Sequence, residues 1–266
     1  MSGLCFVVAG LVFLVWSGIR YDRRQFFELS QWKSALLIAS IMLLGGQGAR
    51  AIGELSLSSG TISILFAIVP LFVIIINYVW LRRQLPKKVF MWLVLGLAGV
   101  SLLVLSIWNE GNESFRSSLF LLFGTFLWSL GSIYMRQKNH SSPLISSLGK
   151  QMFLGGLLLT AAGVFIGELN YLDLGQVTFE SGMGMLYMIL IGSLVGFPIF
   201  VWLLRKTSEF VANSFAFVSP IVALILGSAT LNEPFSLQSI IAIGMILSSV
   251  IMVLTFTWIP RTKIAE

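Results

Sequence analysis

The sequence predicts an all-α integral membrane protein with nine transmembrane helices. Two observations predict this class. Hydrophobic residues fill 57% of the 266 positions and charged residues only 11%, whereas an ordinary soluble domain is about 25% charged. The apolar residues also form runs that are long enough to cross a bilayer core of about 30 Å. Each run is expected to be a helix, because backbone groups inside lipid must be paired within the segment.

Nine apolar runs separated by short loops define the spans in chain order. The first run has no basic residue before it and no small-residue cleavage site after it, so it is expected to stay as a membrane helix and not to be removed as a signal peptide. The nine predicted spans cover residues 3–19, 34–54, 59–81, 89–106, 118–135, 150–167, 182–204, 211–231 and 238–258.

The basic residues support this number of spans and give an orientation. Lys and Arg collect in the cytoplasmic loops of membrane proteins. With nine spans, all 17 basic residues except Arg50 and Arg116 fall on one side, and one missed helix would reverse the alternation from that point onward. We therefore expect a multi-pass protein of a plasma or inner membrane, with the C terminus in the cytoplasm and the N terminus outside.

Two prolines in similar apolar surroundings indicate an internal repeat. Pro70 lies in FAIVPLFVIIINYVW and Pro220, 150 residues later, lies in FAFVSPIVALILG. The same offset relates Gly46 to Gly196, spans two to four to spans seven to nine, and the first span to the sixth. The fifth span has no counterpart. Repeats with an odd number of helices run in opposite directions through the membrane, an arrangement typical of secondary transporters.

The chain resembles the EamA-like group of the drug/metabolite transporter superfamily over essentially its whole length. The resemblance is carried by SGTISILFAIVPLFVIIINYVW, LFGTFLWSLGSIYMR and VANSFAFVSPIVALILGSATLNEPFSLQSIIAIGMILSSVIMVL. This family has ten helices in two inverted repeats. The resemblance therefore implies a first repeat at 1–109 that lacks its first helix, a complete second repeat at 117–258 and a cytoplasmic tail at 259–266. On this reading, Met1 is expected to be a truncated or misassigned start.

The resemblance implies a secondary transporter of small organic solutes, an exporter of metabolites, amino acids or drugs that works by alternating access. Its expected partners are the solute and membrane lipid. No nucleic-acid partner, metal or cofactor is indicated. The single histidine, His140, excludes a zinc protease of the HExxH type, and no enzyme class is predicted. Two alternatives stay open, namely a membrane scaffold or receptor without transport and a truncated, inactive permease. The oligomeric state is also open.

The candidate substrate-pathway residues are polar or helix-breaking residues inside the spans. A proline frees the carbonyl four residues earlier, which either accepts a hydrogen bond from a solute or only marks a packing kink. An indole or amide facing lipid would lack a hydrogen-bond partner, so Trp128, Asn77 and Asn213 are expected to face a partner or a cavity. The full candidate set is Gln47, Arg50, Ser63, Pro70, Asn77, Trp128, Ser129, Asn213 and Pro220.

Arg50 has two interpretations. It lies near the predicted outer end of the second span, four residues before Glu54, so a local ion pair is the simpler one. The other is a positive group that attracts an anionic or carboxylate-bearing solute. No ionisable residue lies near the middle of a predicted span, so the sequence offers no buried carboxylate for proton coupling.

Overall fold

The computed structural model describes most of the chain, and within that part every regular element is a helix. The described residues are 2–20, 26–80, 82, 87–108, 112–138, 142–168, 178–217, 219 and 237–258. In chain order the α-helices are α1 (Ser2–Arg20), α2 (Leu29–Ile38), α3 (Gly48–Gly53), α4 (Ser59–Phe66), α5 (Val69–Val79), α6 (Lys87–Trp108), α7 (Asn112–Lys138), α8 (Leu144–Ile166), α9 (Phe179–Tyr187), α10 (Phe197–Lys206), α11 (Glu209–Asn213) and α12 (Leu237–Trp258). A 3₁₀ turn, Ser214–Phe217, follows α11.

Six helical stretches of the described chain are long and apolar enough to cross a membrane. They are Ser2–Arg20, Leu29–Gly53, Ser59–Val79, Phe115–Lys138, Leu144–Ile166 and Phe179–Lys206, and each overlaps a predicted span. The fourth and ninth predicted spans correspond to α6 and α12, whose described apolar stretches, Val89–Leu102 and Ile240–Val253, are shorter. The predicted span 211–231 lies mostly outside the described residues. The described elements are thus all helical, as predicted, and six of the stretches suit a membrane in length and composition, whereas the number nine stays a prediction.

Two π-helical segments lie at corresponding places in the second and seventh spans. They are π1 (Ala39–Gln47), between α2 and α3, and π2 (Met188–Gly196), between α9 and α10. Each has nine residues, and their starts are 149 residues apart, since 188 − 39 = 149. π-Helix is rare and is often found at functional sites. The recurrence at nearly the offset that relates the two prolines is what an internal repeat would produce.

The chain forms two compact units that interleave in sequence. The first unit comprises Met1–Gly48 and Leu130–Ala212, and the second comprises Ala49–Ser129 and Asn213–Glu266. Each unit therefore takes segments from both predicted repeats. The repeat boundaries at 109 and 117 remain predictions, because a compact unit and a sequence repeat are different divisions of the chain.

The first unit is built around α1 and α8, whose backbones touch through glycines. A Cβ atom added at Gly3 would lie 2.7 Å from Thr160 N, and one added at Gly149 would lie 2.8 Å from Leu14 N. The start of α1 thus meets the end of α8, and the two helices run antiparallel. Small residues allow this close approach, which gives membrane helices their van der Waals contact.

The second unit is built around α6 and α12, which also run antiparallel. A Cβ atom added at Gly96 would lie 2.6 Å from Ser249 Oγ. Further along α6, the carbonyl of Leu102 accepts a hydrogen bond from Gln238 Nε2 at 3.2 Å. The core pair of each unit thus consists of two helices that the predicted repeat makes equivalent, the first with the sixth and the fourth with the ninth.

Candidate functional site

Trp128 has a buried polar partner in the second unit, as expected. Its indole Nε1 donates a hydrogen bond to Asn213 Oδ1 at 3.2 Å, and both side chains are buried. The ring of Phe66 packs against the indole edge to face, with ring centroids 5.5 Å apart and an angle of 66° between the planes. Such aromatic pairs add to the free energy gained from burial. The contacts join α7, α11 and the end of α4.

Arg50 extends this group of side chains. Its Nε lies 3.3 Å from Glu54 Oε1, which confirms the local ion pair, and its Cζ lies 5.8 Å from the centre of the Phe66 ring, within the range of a cation–π contact. The two ion-paired side chains are 42% and 54% exposed. Solvent screens such a pair, so it holds the guanidinium over the ring only weakly. We call Arg50, Phe66, Trp128 and Asn213 the tryptophan cluster.

Pro70 divides its span into two helices. α4 ends at Phe66 and α5 begins at Val69, which places the proline in the first turn of the new helix, where its missing N–H costs no hydrogen bond. At the break, the carbonyl of Val69 accepts a hydrogen bond from the buried Ser129 Oγ at 3.1 Å. Ser129, the neighbour of Trp128 on α7, therefore ties that helix to the proline break.

No described contact joins Asn77, Ser63 or Gln47 to the tryptophan cluster. Asn77 is buried two turns along α5, where its Nδ2 donates to Val73 O at 2.8 Å and its Oδ1 has no hydrogen-bond partner among the described residues. The carbonyl of Ser63, on α4, accepts the N–H of Ala67 at 3.0 Å. Gln47 is the last residue of π1 and belongs to the first unit. Pro220 lies outside the described residues.

Two features of the described structure escaped sequence analysis. Phe66 looked like any other apolar residue, and its position directly before the proline break was the one available signal. In the first unit, Arg136 Nη1 lies 2.6 Å from Glu209 Oε2, and the Glu209 side chain is only 4% exposed. Charge counting had assigned Arg136 only to the cytoplasmic side, because a partner 73 residues away leaves no local pattern.

A family comparison decides the classification. The model of the EamA-like transporter family matches residues 1–105 and 116–255. The chain belongs to the EamA-like transporter family. The two matched ranges cover most of the described helices.

Similar proteins agree with this assignment. The Escherichia coli K12 protein named "Uncharacterized inner membrane transporter YedA" is 28% identical over 258 residues, which cover 95% of this chain and 80% of the relative. The "Uncharacterized transporter YvbV" of Bacillus subtilis strain 168 is 22% identical over 254 residues, covering 96% of this chain and 81% of the relative. Family and relatives together identify this EamA-like protein as a multi-pass membrane protein of the transporter class.

The fold is also shared with a solved structure. A chain named only as "Crystal structure of protein" superimposes with a TM-score of 0.67 and 14% sequence identity, covering 96% of this chain and 88% of that chain. At this identity the likeness describes the fold of the EamA-like protein and carries no information on its solute.

Proposed function

We propose that this EamA-like protein is a secondary transporter of small organic solutes that works by alternating access. The observation that carries the proposal is the antiparallel pairing of helices that the predicted repeat makes equivalent, α1 with α8 in one unit and α6 with α12 in the other. Inverted repeats of this kind are typical of secondary transporters, in which one bundle moves against the other around a central substrate site. The export direction, and the choice among metabolites, amino acids and drugs, follow from the family resemblance alone.

The chain connections between the units support a hinge mechanism. The chain passes from one unit to the other at residues 48/49, 129/130 and 212/213. Gln47, Ser129 and Asn213 each lie within two residues of one of these crossing points. The first and third crossing points lie one residue from a change of helix type, from π to α after Gln47 and from α to 3₁₀ after Asn213, whereas the second lies inside α7. If the units move as bodies, the backbone must bend near these places, and the first and third suit a hinge because hinges are a few residues at the ends of elements.

The tryptophan cluster is the proposed substrate-pathway and hinge element of the second unit. The hydrogen bond from Trp128 to Asn213 joins the residues next to two crossing points. Arg50 supplies a partly exposed positive charge, and Phe66 and Trp128 supply aromatic faces. An anionic solute could reach Arg50, whereas an aromatic solute would reach Phe66 and Trp128, which are buried in this structure, only when the cluster opens. Gln47, Ser63, Pro70, Asn77 and Pro220 remain proposed pathway residues. The proposed orientation keeps the C terminus in the cytoplasm and the N terminus outside.

Uptake into inside-out vesicles tests the transport proposal. Radiolabelled amino acids, organic acids and aromatic drugs would be offered in turn, and we expect saturable uptake of one class. Trp128→Phe keeps an aromatic ring but removes the indole donor, so uptake should fall about tenfold, the loss that corresponds to one hydrogen bond in a buried site. Trp202→Phe, at an exposed tryptophan of α10, is the control and should leave uptake unchanged.

A double-mutant cycle tests the tryptophan cluster separately. Because Trp128 and Asn213 share one hydrogen bond, the effects of Trp128→Phe and Asn213→Leu on uptake should be non-additive. Additive effects would remove the hydrogen bond from the mechanism. If no solute class is taken up by the wild-type protein, transport itself is overturned, and the scaffold or inactive-permease alternative takes its place.

A further inference from the structure

A polar cavity lies within the first unit and shares no described residue with the tryptophan cluster. Its volume is about 300 Å³, roughly that of ten water molecules in the liquid. It lies among α2, the end of α7 and the start of α8, a region that the distribution of basic residues assigns to the cytoplasmic side. Its charged and amide-bearing lining residues are Glu28, Gln31, Lys138, Lys150 and Gln151.

Lys150 is a completely buried cation in the wall of this cavity. Its Nζ donates a hydrogen bond to Gln31 Oε1 at 2.8 Å and lies 5.7 Å from the ring centre of Phe26 and 5.6 Å from that of Trp32. Gln31 Nε2 in turn donates to Glu28 Oε2 at 2.7 Å. A buried charge is tolerated only when it is paired and hydrogen-bonded, so these contacts hold the ammonium group in a fixed position.

Gln151 contributes an acceptor whose donor is missing. The residue is 1% exposed, and its Nε2 donates to Ser147 Oγ at 2.9 Å. Its Oε1 is buried and has no hydrogen-bond partner among the described residues. Leaving a buried acceptor unpaired is costly. Because Gln151 lines the cavity, a turn of its amide toward the cavity would let a bound molecule supply the missing donor.

The charges of the lining indicate which chemical group the rest of such a molecule carries. Among the described lining residues, two lysines, Lys138 and Lys150, stand against one carboxylate, Glu28, which gives this part of the lining one more positive than negative charge. We infer that it binds a small carboxylate that has a hydrogen-bond donor on the adjacent carbon, an α-amino acid or an α-hydroxy acid. The carboxylate would lie toward the lysines and the donor toward Gln151 Oε1. This site is separate from the proposed transport pathway and needs no particular transport direction.

Three acids of matched size test the inference. L-Alanine, L-lactate and propionate share a three-carbon carboxylate skeleton and differ in carrying an ammonium group, a hydroxyl group or no donor; lactate and propionate have the same net charge, whereas alanine is a zwitterion. We would titrate each into the purified full-length protein in nanodiscs by calorimetry. Alanine or lactate should bind at least about tenfold more tightly than propionate, the difference that a hydrogen bond to a buried acceptor gives. The preferred acid identifies the donor class.

Variants of the lining residues test which side chain binds the donor and which side chains bind the carboxylate. Gln151→Leu should remove the preference over propionate while leaving propionate binding unchanged. Lys150→Gln, and Lys138→Gln at the exposed rim, should weaken all three acids, whereas Lys33→Gln, an exposed lysine of α2 outside the lining, should weaken none. Equal binding of the three acids, no binding, or a preference that survives Gln151→Leu would overturn the inference.

The two proposals fail independently. Trp128→Phe belongs to the second unit and should leave calorimetric binding intact while it lowers uptake. Binding without uptake would overturn the transporter proposal and keep the cavity site. Uptake without binding of any of the three acids would overturn the cavity site and keep the transporter proposal.

Discussion

The glycine contact between α1 and α8 makes a sharp prediction about stability. Gly10 and Gly18 lie on the same helix and differ in their surroundings. A Cβ atom added at Gly10 would lie 2.7 Å from Phe153 Cα, whereas one added at Gly18 would have none of the described atoms within 4 Å. We therefore expect Gly10→Ala to destabilise the protein and Gly18→Ala to stabilise it slightly.

The size of each effect follows from two opposing terms. Carbon atoms in contact normally lie about 3.5–4.0 Å apart, so Gly10→Ala must push the two backbones apart by roughly 1 Å. Overpacking of this kind costs about 1–3 kcal/mol. The higher helix propensity of alanine returns up to about 1 kcal/mol. The free energy of unfolding should thus fall by about 1–2 kcal/mol for Gly10→Ala and rise by less than about 1 kcal/mol for Gly18→Ala.

The single cysteine of the chain provides the assay. Cys5 is buried on α1, the helix that carries both glycines. A maleimide that fluoresces on reaction with thiols should report the temperature at which α1 loses its packing, with no engineered label. For a chain of this size, 1–2 kcal/mol corresponds to a decrease in Tm of roughly 2–8 °C. Equal shifts for the two variants, or a higher Tm for Gly10→Ala, would refute the proposed backbone contact.

Three further predictions concern buried polar groups and topology. Glu209→Gln should lower the free energy of unfolding by about 2 kcal/mol. This is less than the 3–5 kcal/mol lost when a fully buried pair is broken, because the Arg136 side chain is 34% exposed. As a control in the same thermal assay, Glu54→Gln, in the exposed pair with Arg50, should lower it by less than about 1 kcal/mol. Asn77→Leu removes a buried Oδ1 that has no hydrogen-bond partner among the described residues and should raise stability by up to about 1 kcal/mol; unchanged uptake would then exclude Asn77 from the pathway. In a Cys5→Ala background, single cysteines at Ser30 and Ser142 should react with an impermeant thiol reagent from the cytoplasmic side and one at Ser56 from the outside; labelling of all three from one side would contradict the predicted topology.

The helical spans could be predicted from the sequence because lipid imposes a simple local rule. A spanning segment must be apolar over its whole length and helical throughout, so hydropathy found the described spanning stretches without knowledge of their contacts. The same rule gives no signal for π1 and π2, whose altered hydrogen bonding leaves the hydropathy unchanged. It also predicted one long helix across Pro70, where the structure ends α4 and begins α5.

The contacts of the candidate residues were predictable only where they are local. The pair of Arg50 with Glu54 follows from a spacing of four residues. For Trp128 the sequence required a polar partner but could not choose one, since Asn213 lies 85 residues away. Lys150 was counted as a basic residue at the edge of a span. Its burial depends on Phe26, Gln31 and Trp32 of another helical segment, and no local pattern carries that information.

Rigid helix pairs and few connections together limit where this protein can deform. In α1 with α8 and in α6 with α12, glycines bring the helices so close that even one methyl group would meet neighbouring atoms, and such close-packed pairs resist sliding. Motion between the units would therefore be concentrated at the three crossing points. The first and third lie within one residue of a change of helix type, and the Trp128–Asn213 hydrogen bond joins residues close to the second and third. A substitution at that hydrogen bond should accordingly alter uptake more than stability, whereas Gly10→Ala should alter stability first.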